Sequence, residues 1–134
     1  MPGPSLNDFL KQNVTLFREF DDARISQLVE GSRQLTVEPN EAVIEFGEEG
    51  RFLGVMIDGT AEVSVVDDGG KRHKLSELKT GDIFGEMSLL TGDKTVADVI
   101  GITRCTVLLV PEQLFSRVCI TFPPAIKYLS RLLT

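Results

Sequence analysis

The chain has 134 residues and a mass of 14.8 kDa, which is the size of one domain. Hydrophobic residues make up 42% and charged residues 25%, and the mean hydropathy is +0.05, a balance that excludes a disordered chain. Twenty acidic residues oppose fourteen basic ones and give a net charge of −6. This charge excludes direct binding of DNA or RNA as the main activity, because such binding needs a basic face.

The sequence predicts neither an export signal nor a membrane span. The N-terminus lacks a basic segment followed by an apolar run, and no stretch approaches the roughly 20 apolar residues that a spanning helix needs. The cysteines, Cys105 and Cys119, lie in apolar surroundings, and we expect two free, buried thiols. A cytoplasmic protein is therefore expected.

Residues 5–31 show apolar residues at helical spacing, which predicts N-terminal helices. The two stripes are Leu6, Phe9 and Leu10, and then Ile25, Leu28 and Val29. We expect Asp21 or Asp22 to cap the second helix and Gly31 to end it in the left-handed conformation. A short turn or helix end is expected between the stripes.

Residues 32–110 contain short apolar runs separated by turn residues about every ten positions. The eight runs are 34–37, 42–46, 52–57, 60–66, 74–78, 82–84, 96–102 and 105–110. Asp58-Gly59 predicts a hairpin, and Asp68-Gly69-Gly70 predicts another. Eight short strands with glycine-rich turns predict a mainly β fold, an eight-stranded β-jelly roll with flanking helices.

Residues 111–134 return to helical spacing. Pro111 suits the first turn of a helix that runs to Val118, and Pro123-Pro124 begins another. The last helix has an apolar face formed by Ile126, Leu129, Leu132 and Leu133. We expect residues 1–134 to be one domain, whose C-terminal helices form a dimer contact or continue into an output domain.

The residues argue against an enzyme. Metal-dependent jelly rolls need several histidines, whereas this chain has one, His73, beside a turn. The cysteines lack the spacing of a zinc site, and no G-x-S-x-G elbow supplies a nucleophilic serine. His73 is therefore expected to be a solvated turn residue, with no catalytic or metal site in the chain.

The segment from Gly81 to Val99 carries the most informative chemistry. Gly85 precedes a short helical turn, Glu86–Leu90, and a glycine before a helix leaves unpaired N–H groups that can bind an anion. A carboxylate at the same turn, Glu86, can accept hydrogen bonds from the hydroxyl groups of a sugar. Together these features are typical of a sugar-phosphate site.

This segment closely resembles the phosphate-binding cassette of the cyclic nucleotide-binding domain family, as found in the catabolite activator protein and the protein kinase A regulatory subunit. The resemblance rests on four runs: Phe84–Gly92, Ala42–Gly50, Phe52–Val63 and Leu78–Glu86. It extends over nearly the whole chain. It implies the same jelly roll, a cassette at residues 84–97 and a ligand such as cAMP or cGMP.

Carried over by position, the family pattern gives an atypical site. Backbone N–H groups near Gly85 to Ser88, Met87 among them, would hold the cyclic phosphate, and Glu86 would bind the ribose 2′-hydroxyl. Phe84 is expected to belong to the same ligand site. The family places an arginine nine residues after that glutamate, and here the position is Thr95. Lys94 is one residue away, but it would supply a point charge in place of a planar fork. Val96, where the family often contacts the base, offers no hydrogen bond.

Two interpretations remain open on the sequence alone. In one, the domain senses a small anionic ligand such as cAMP or cGMP and moves its C-terminal helices as a lid. In the other, it is a degenerate module that binds no nucleotide and acts in dimerisation or protein interaction. Thr95 favours the second interpretation, and the intact run Phe84–Leu90 favours the first.

Overall fold

A computed structural model describes residues 5–132, in which helices flank eight β-strands. The helical elements are α1 (Leu6–Asn13), a 3-10 helix (Thr15–Phe17), α2 (Asp22–Gly31), α3 (Glu86–Thr91), α4 (Glu112–Phe115), a π-helix (Ser116–Ile120) and α5 (Pro123–Leu132). The strands are β1 (Arg33–Val37), β2 (Ala42–Ile44), β3 (Phe52–Asp58), β4 (Ala61–Val66), β5 (Arg72–Leu78), β6 (Ile83–Phe84), β7 (Asp98–Gly101) and β8 (Cys105–Pro111).

The strands form two antiparallel sheets of four, in the orders β1-β8-β3-β6 and β2-β7-β4-β5. The jelly roll predicted from the short, turn-punctuated runs is thus confirmed. β3 and β8 are buried on both faces, which explains their uninterrupted apolar sequences. One face, with Leu53 and Val55, packs against the helices, and the other, with Met56 and Val107, fills the interior of the roll.

The N-terminal helices agree with the prediction except at the end of α2. Asp21 caps this helix, because its Oδ1 accepts a hydrogen bond from Arg24 N at 2.8 Å. The prediction that Gly31 is left-handed was wrong: Gly31 is the last helical residue, and the extended Ser32 follows it. A Cβ at Gly31 would lie 2.6 Å from Leu114 Cδ2, so this position must be small to let α4 approach.

The Asp58-Gly59 turn does not form the predicted hairpin. β3 and β4 belong to different sheets, and the turn carries the chain from one sheet to the other. It packs on the turn before β8, where Thr60 O accepts hydrogen bonds from Ile102 N at 2.9 Å and Thr103 N at 3.2 Å. The second predicted hairpin is present, since β4 and β5 pair across residues 67–71.

β2 and β7 are shorter than predicted by two or more residues, and His73 lies in a strand. β2 ends at Ile44 because residues 45–48 form a turn, and β7 begins only at Asp98 because Thr95, before it, is hydrogen-bonded to that turn. His73 belongs to β5, where its exposed ring Nε2 lies 2.7 Å from Asp67 Oδ2. Cys105 and Cys119 are both free and buried, as expected.

The C-terminal region departs from the prediction in detail. Pro111 ends β8 and precedes α4, because the strand pairing of Phe52 extends to it. The helix expected to reach Val118 changes to π-geometry at Ser116. In α5 the buried residues are Ala125 and Leu129, whereas Ile126 and Leu132 of the predicted face are 41% and 38% exposed. Leu133 and Thr134 lie outside the described residues.

Gly54→Ala tests the packing between β3 and β6. The added Cβ would clash with the ring of Phe84, which is buried in the roll, so the ring or strand must move. We expect a loss of about 1–3 kcal/mol in the free energy of unfolding, measured by urea denaturation. Gly69→Ala is the matched control, because its Cβ would meet only Asp67 Oδ1 at 3.4 Å. Equal stability of the two variants would contradict this packing.

Candidate ligand site

The cassette, residues 84–97, packs closely against β3 at Gly85, where a larger residue would be strained. Gly85 caps α3 at its N-terminus with φ of 81°, a left-handed conformation that favours glycine. A Cβ there would also lie 2.8 Å from the carbonyl oxygen of Phe52. The short helix α3 therefore begins at a fixed point above the roll, with its first-turn N–H groups lacking partners inside the helix.

Most of the predicted site residues line one cavity of about 270 Å³. Its lining residues are Ile44, Val63, Ser76, Leu78, Ile83, Phe84, Gly85, Glu86, Met87, Ser88, Thr95, Val96, Ala97 and Val99. We call this cavity the cassette pocket. The single charged side chain in this described lining is Glu86, and the wall opposite is mostly apolar.

The Glu86 carboxylate is half-buried and carries an unused acceptor. Its Oε2 is shielded from solvent and has no hydrogen-bond partner among residues 5–132. Burial raises the pKa of this carboxyl above its ordinary value of 4.5, while a hydrogen bond from its own backbone N–H opposes the shift. An unpaired buried carboxylate is costly, and a ligand that donates hydrogen bonds to it would offset that cost.

Thr95 is committed to the fold. Its hydroxyl donates to Glu45 O at 2.7 Å and accepts from Glu48 N at 2.9 Å. Its backbone N–H donates to Glu48 O, and its carbonyl accepts from Gly47 N, both at 2.8 Å. Four hydrogen bonds thus tie this residue to the turn at 45–48, so the hydroxyl has no free hydrogen for a ligand.

The two neighbours of Thr95 point in different directions. Val96 is 74% exposed and lies on the rim of the cassette pocket. Lys94 does not line this pocket; it forms an isolated β-bridge with Glu49 and faces an adjacent open cleft of about 620 Å³. Ser88 lines both spaces. The structure thus brings Phe84–Ser88, Thr95 and Val96 together and leaves Lys94 outside.

Sequence reasoning missed Asp98, which fixes the strand after the cassette. Its Oδ1 accepts from Phe46 N at 2.7 Å, and its Oδ2 accepts from Arg72 Nη1 at 2.9 Å. The bond from Phe46, followed by those from Arg72, lowers the pKa of Asp98. Arg72 also donates to the fully buried Ser64. An aspartate inside an apolar run was the available signal.

A second, smaller cavity lies behind Glu86. It measures about 200 Å³, and α5 contributes Tyr128 and Leu132 to its lining. Glu86 lines both this cavity and the cassette pocket. Glu86 therefore borders both the cassette pocket and the cavity that α5 lines, an arrangement that sequence spacing could not indicate.

The sequence profile of the cyclic nucleotide-binding domain matches residues 34–122, which is more than half of the chain. The chain belongs to the cyclic nucleotide-binding domain family. It is a regulatory domain of that type, with the jelly roll of its structural relatives and an atypical ligand site. Such domains are typically non-enzymatic.

The relatives to which the chain is similar include regulatory subunits of protein kinases. The chain is 30% identical to a cAMP-dependent protein kinase regulatory subunit of Dictyostelium discoideum, over 84% of this chain and 35% of that protein. It is 28% identical to the regulatory subunit of a cAMP-independent protein kinase A of Trypanosoma brucei, with a TM-score of 0.83, over 93% of this chain and 44% of that one. The chain therefore spans less than half the length of these relatives.

Two further solved structures concern the ligand. The regulatory subunit of a cAMP-independent protein kinase A of Trypanosoma cruzi, bound to guanosine, is 31% identical with a TM-score of 0.82, over 94% of this chain and 44% of that one. A Trypanosoma brucei variant is bound to cAMP in its A site, and in it a Thr-Val pair is changed to Arg-Ala and a glutamate to Ala. It has 28% identity and a TM-score of 0.82, over 93% of this chain and 44% of that one.

Membrane-spanning helices and metal-binding clusters are both absent from the part of the chain that the structure describes. No helix between residues 5 and 132 is both long and apolar enough to cross a bilayer. Over the same residues, no three His, Cys, Asp or Glu side chains group in a way that could hold a metal ion.

Glu86→Gln tests the burial of the carboxyl. The pKa of Glu86 is higher in the folded protein than in the unfolded chain, so Glu86 ionises first in the unfolded chain as the pH rises above about 4.5. The free energy of unfolding of the wild type therefore falls until the pH has passed the folded pKa. Gln cannot ionise. The unfolding free energy of Glu86→Gln minus that of the wild type should therefore rise with pH and then level off.

Urea denaturation from about pH 4 to pH 8 measures this difference. Glu30→Gln, at an exposed position on α2, is the control and should stay parallel to the wild type. A flat difference for Glu86→Gln would mean that the carboxyl is solvated in the folded protein.

Proposed function

We propose that this domain is a non-enzymatic regulatory sensor whose cassette pocket binds the ribose and base of a purine nucleoside. The observation that carries this proposal is the Oε2 atom of Glu86, buried beside the pocket without a hydrogen-bond partner. The carboxylate would accept hydrogen bonds from the vicinal hydroxyl groups of the ribose. Binding would thereby satisfy a group that the ligand-free fold leaves unpaired.

The charge of the pocket favours a nucleoside over a cyclic nucleotide. Among the described lining residues, Glu86 is the one charged side chain, so a cyclic phosphate would meet a carboxylate and no cation. Thr95 stands where the family has its arginine, and its hydroxyl is already bonded to Glu45 and Glu48. An uncharged nucleoside needs no such partner.

The apolar part of the pocket suits a purine. Leu78 and Val99 contribute to the wall, Met87 and Val96 are exposed at the rim, and the space of about 270 Å³ is near the lower end for small-molecule sites. Guanosine bound to the Trypanosoma cruzi relative, at 31% identity, supports a nucleoside ligand. The cAMP-independent kinase of Trypanosoma brucei supports the same interpretation.

cAMP or cGMP is the second candidate. Gly85 and the first-turn N–H groups of α3 favour it, because they could hold a phosphate without an arginine. Lys94, in the adjacent cleft, would have to turn towards the pocket to add a charge. These groups support weak binding at most, since loss of a charged partner costs on the order of 2–5 kcal/mol.

We further propose that residues 1–134 act as one unit that transmits ligand binding through residues 111–134. The support is geometric: Tyr128 and Leu132 of α5 line the cavity behind Glu86. The output would be a following domain or a second copy of the chain. Two free thiols, Cys105 and Cys119, favour a cytoplasmic location.

Calorimetric titration tests the ligand class. We expect guanosine or adenosine to bind more tightly than cAMP, cGMP and 5′-AMP, because no described lining residue of the pocket carries a positive charge to pair with phosphate. The 2′-deoxynucleosides should bind roughly ten- to a hundredfold more weakly, since they lose a hydrogen bond to a charged group. Glu86→Ala should abolish binding of the ribonucleosides.

The control is Glu30→Ala, which alters an exposed glutamate away from the pocket and should bind like the wild type. Tighter binding of a cyclic nucleotide would select the second candidate. Absence of heat with every ligand at millimolar concentration would mean that the domain is a degenerate module that works by protein interaction.

The double substitution T95R and V96A should create cAMP binding. It matches the Thr-Val to Arg-Ala change of the cAMP-bound Trypanosoma brucei variant. The glutamate changed in that variant lies seven residues before the threonine, and the residue here at that spacing is Ser88, which has no carboxylate. We expect calorimetry to give an affinity for cAMP increased by a factor of about thirty or more.

Val96→Ala alone is the control and should leave the cAMP affinity unchanged. Because Thr95 bonds the turn at 45–48, circular dichroism must first establish that the double variant is folded. A folded double variant with unchanged cAMP affinity would contradict the view that a missing cation limits this pocket.

A further inference from the structure

A groove outside the ligand site lies between the 3-10 helix region and α5. It encloses about 380 Å³ and shares no lining residue with the cassette pocket. Its lining residues are Thr15, Leu16, Arg18, Glu19, Pro124, Lys127, Tyr128 and Arg131. We call it the α5 groove.

The α5 groove has more positive than negative side chains in its lining, whereas the chain as a whole is negatively charged. Three cations, Arg18, Lys127 and Arg131, line it against one carboxylate, Glu19, whereas the chain as a whole has a net charge of −6. Lys127 and Arg131 are four residues apart on α5 and therefore lie on the same helix face, one turn apart. Between residues 5 and 132, neither Arg18 nor Lys127 takes part in an ion pair.

The floor of the groove is partly apolar. Leu16 is only 3% exposed and anchors one side, and Pro124 and Tyr128 are partly buried on the other. Pro124, Lys127, Tyr128 and Arg131 follow the i, i+3, i+4, i+7 spacing of one helix face. A groove that combines apolar and cationic lining residues suits a ligand with an apolar residue flanked by acids.

We propose that the α5 groove docks an acidic peptide segment that inserts one apolar side chain between Leu16 and Tyr128. Charge complementarity selects this occupant: carboxylates on the peptide would pair with Arg18 and Lys127. The confinement of the cations to a groove disfavours an anionic bilayer or a nucleic acid. Either of those would also meet the surrounding negative charge.

Fluorescence anisotropy tests this docking with a short fluorescein-labelled peptide that carries one leucine among aspartates and glutamates. We expect saturable binding at about 0.05 M salt that weakens at about 0.3 M, because surface charges are screened. The same peptide with asparagine and glutamine in place of the acids should bind at least about tenfold more weakly.

The protein variants locate the site. The double substitution R18E and K127E should weaken the acidic peptide by about tenfold or more, since two attractive charges become repulsive. The matched control is Arg117→Glu, which reverses an exposed cation that does not line the groove and should change the affinity less than twofold. Circular dichroism of each variant checks that its fold is retained.

Three results would overturn the proposal. The first is equal binding of the acidic and the neutral peptide, and the second is equal loss in R117E and in the double variant. The third is binding to phosphatidylserine vesicles or single-stranded DNA in place of the peptide. Because the groove and the cassette pocket share no lining residue, none of these outcomes depends on nucleoside binding.

Discussion

The site depends on three glycines at the contact between the cassette and the region of β3, where there is no space for a Cβ atom. A Cβ at Gly50 would clash with Ser88, one at Gly54 with the Phe84 ring, and one at Gly85 with the carbonyl of Phe52. These three approaches set α3 directly on the sheet. Glu86 follows Gly85 immediately, so the same packing that admits the helix places its carboxylate in a half-buried position. The position of the partnerless Oε2 atom is thus a consequence of backbone packing.

Thr95 determines what that carboxylate can be used for. A residue that bonds the 45–48 turn through its hydroxyl cannot also act as a cation, so the pocket keeps one negative charge and no positive one among its described lining. The family pattern has a glutamate for the ribose and an arginine for the phosphate. This chain keeps the glutamate, Glu86, and has Thr95 at the position of the arginine. What remains is chemistry suited to hydroxyl groups, and the phosphate has lost its partner. The guanosine-bound relative is in line with this division.

The sequence predicted the fold well because alternation and glycine-rich turns are local signals. It predicted the Asp58-Gly59 turn wrongly as a hairpin, since a turn signal does not say which strand the chain pairs with next. It identified Glu86 and Thr95 by position but could not reveal that one is unpaired and the other fully bonded. Those properties depend on Glu45, Glu48 and α5, which are distant in sequence. No sequence motif indicated that Tyr128 would line the cavity behind Glu86.

Tyr128 connects the α5 groove with the cavity behind Glu86. It lines the α5 groove on one side and the cavity behind Glu86 on the other, so a shift of α5 alters both spaces. The segment before α5 is held more firmly: Arg24 of α2 donates to Val118 O at 2.8 Å, and its guanidinium lies 4.6 Å from the Phe122 ring centroid. These two contacts tie residues 118–122 to α2, so a shift of α5 relative to them would begin at Pro123. A nucleoside at Glu86 and a peptide in the groove would influence each other only as far as each prefers one position of that helix.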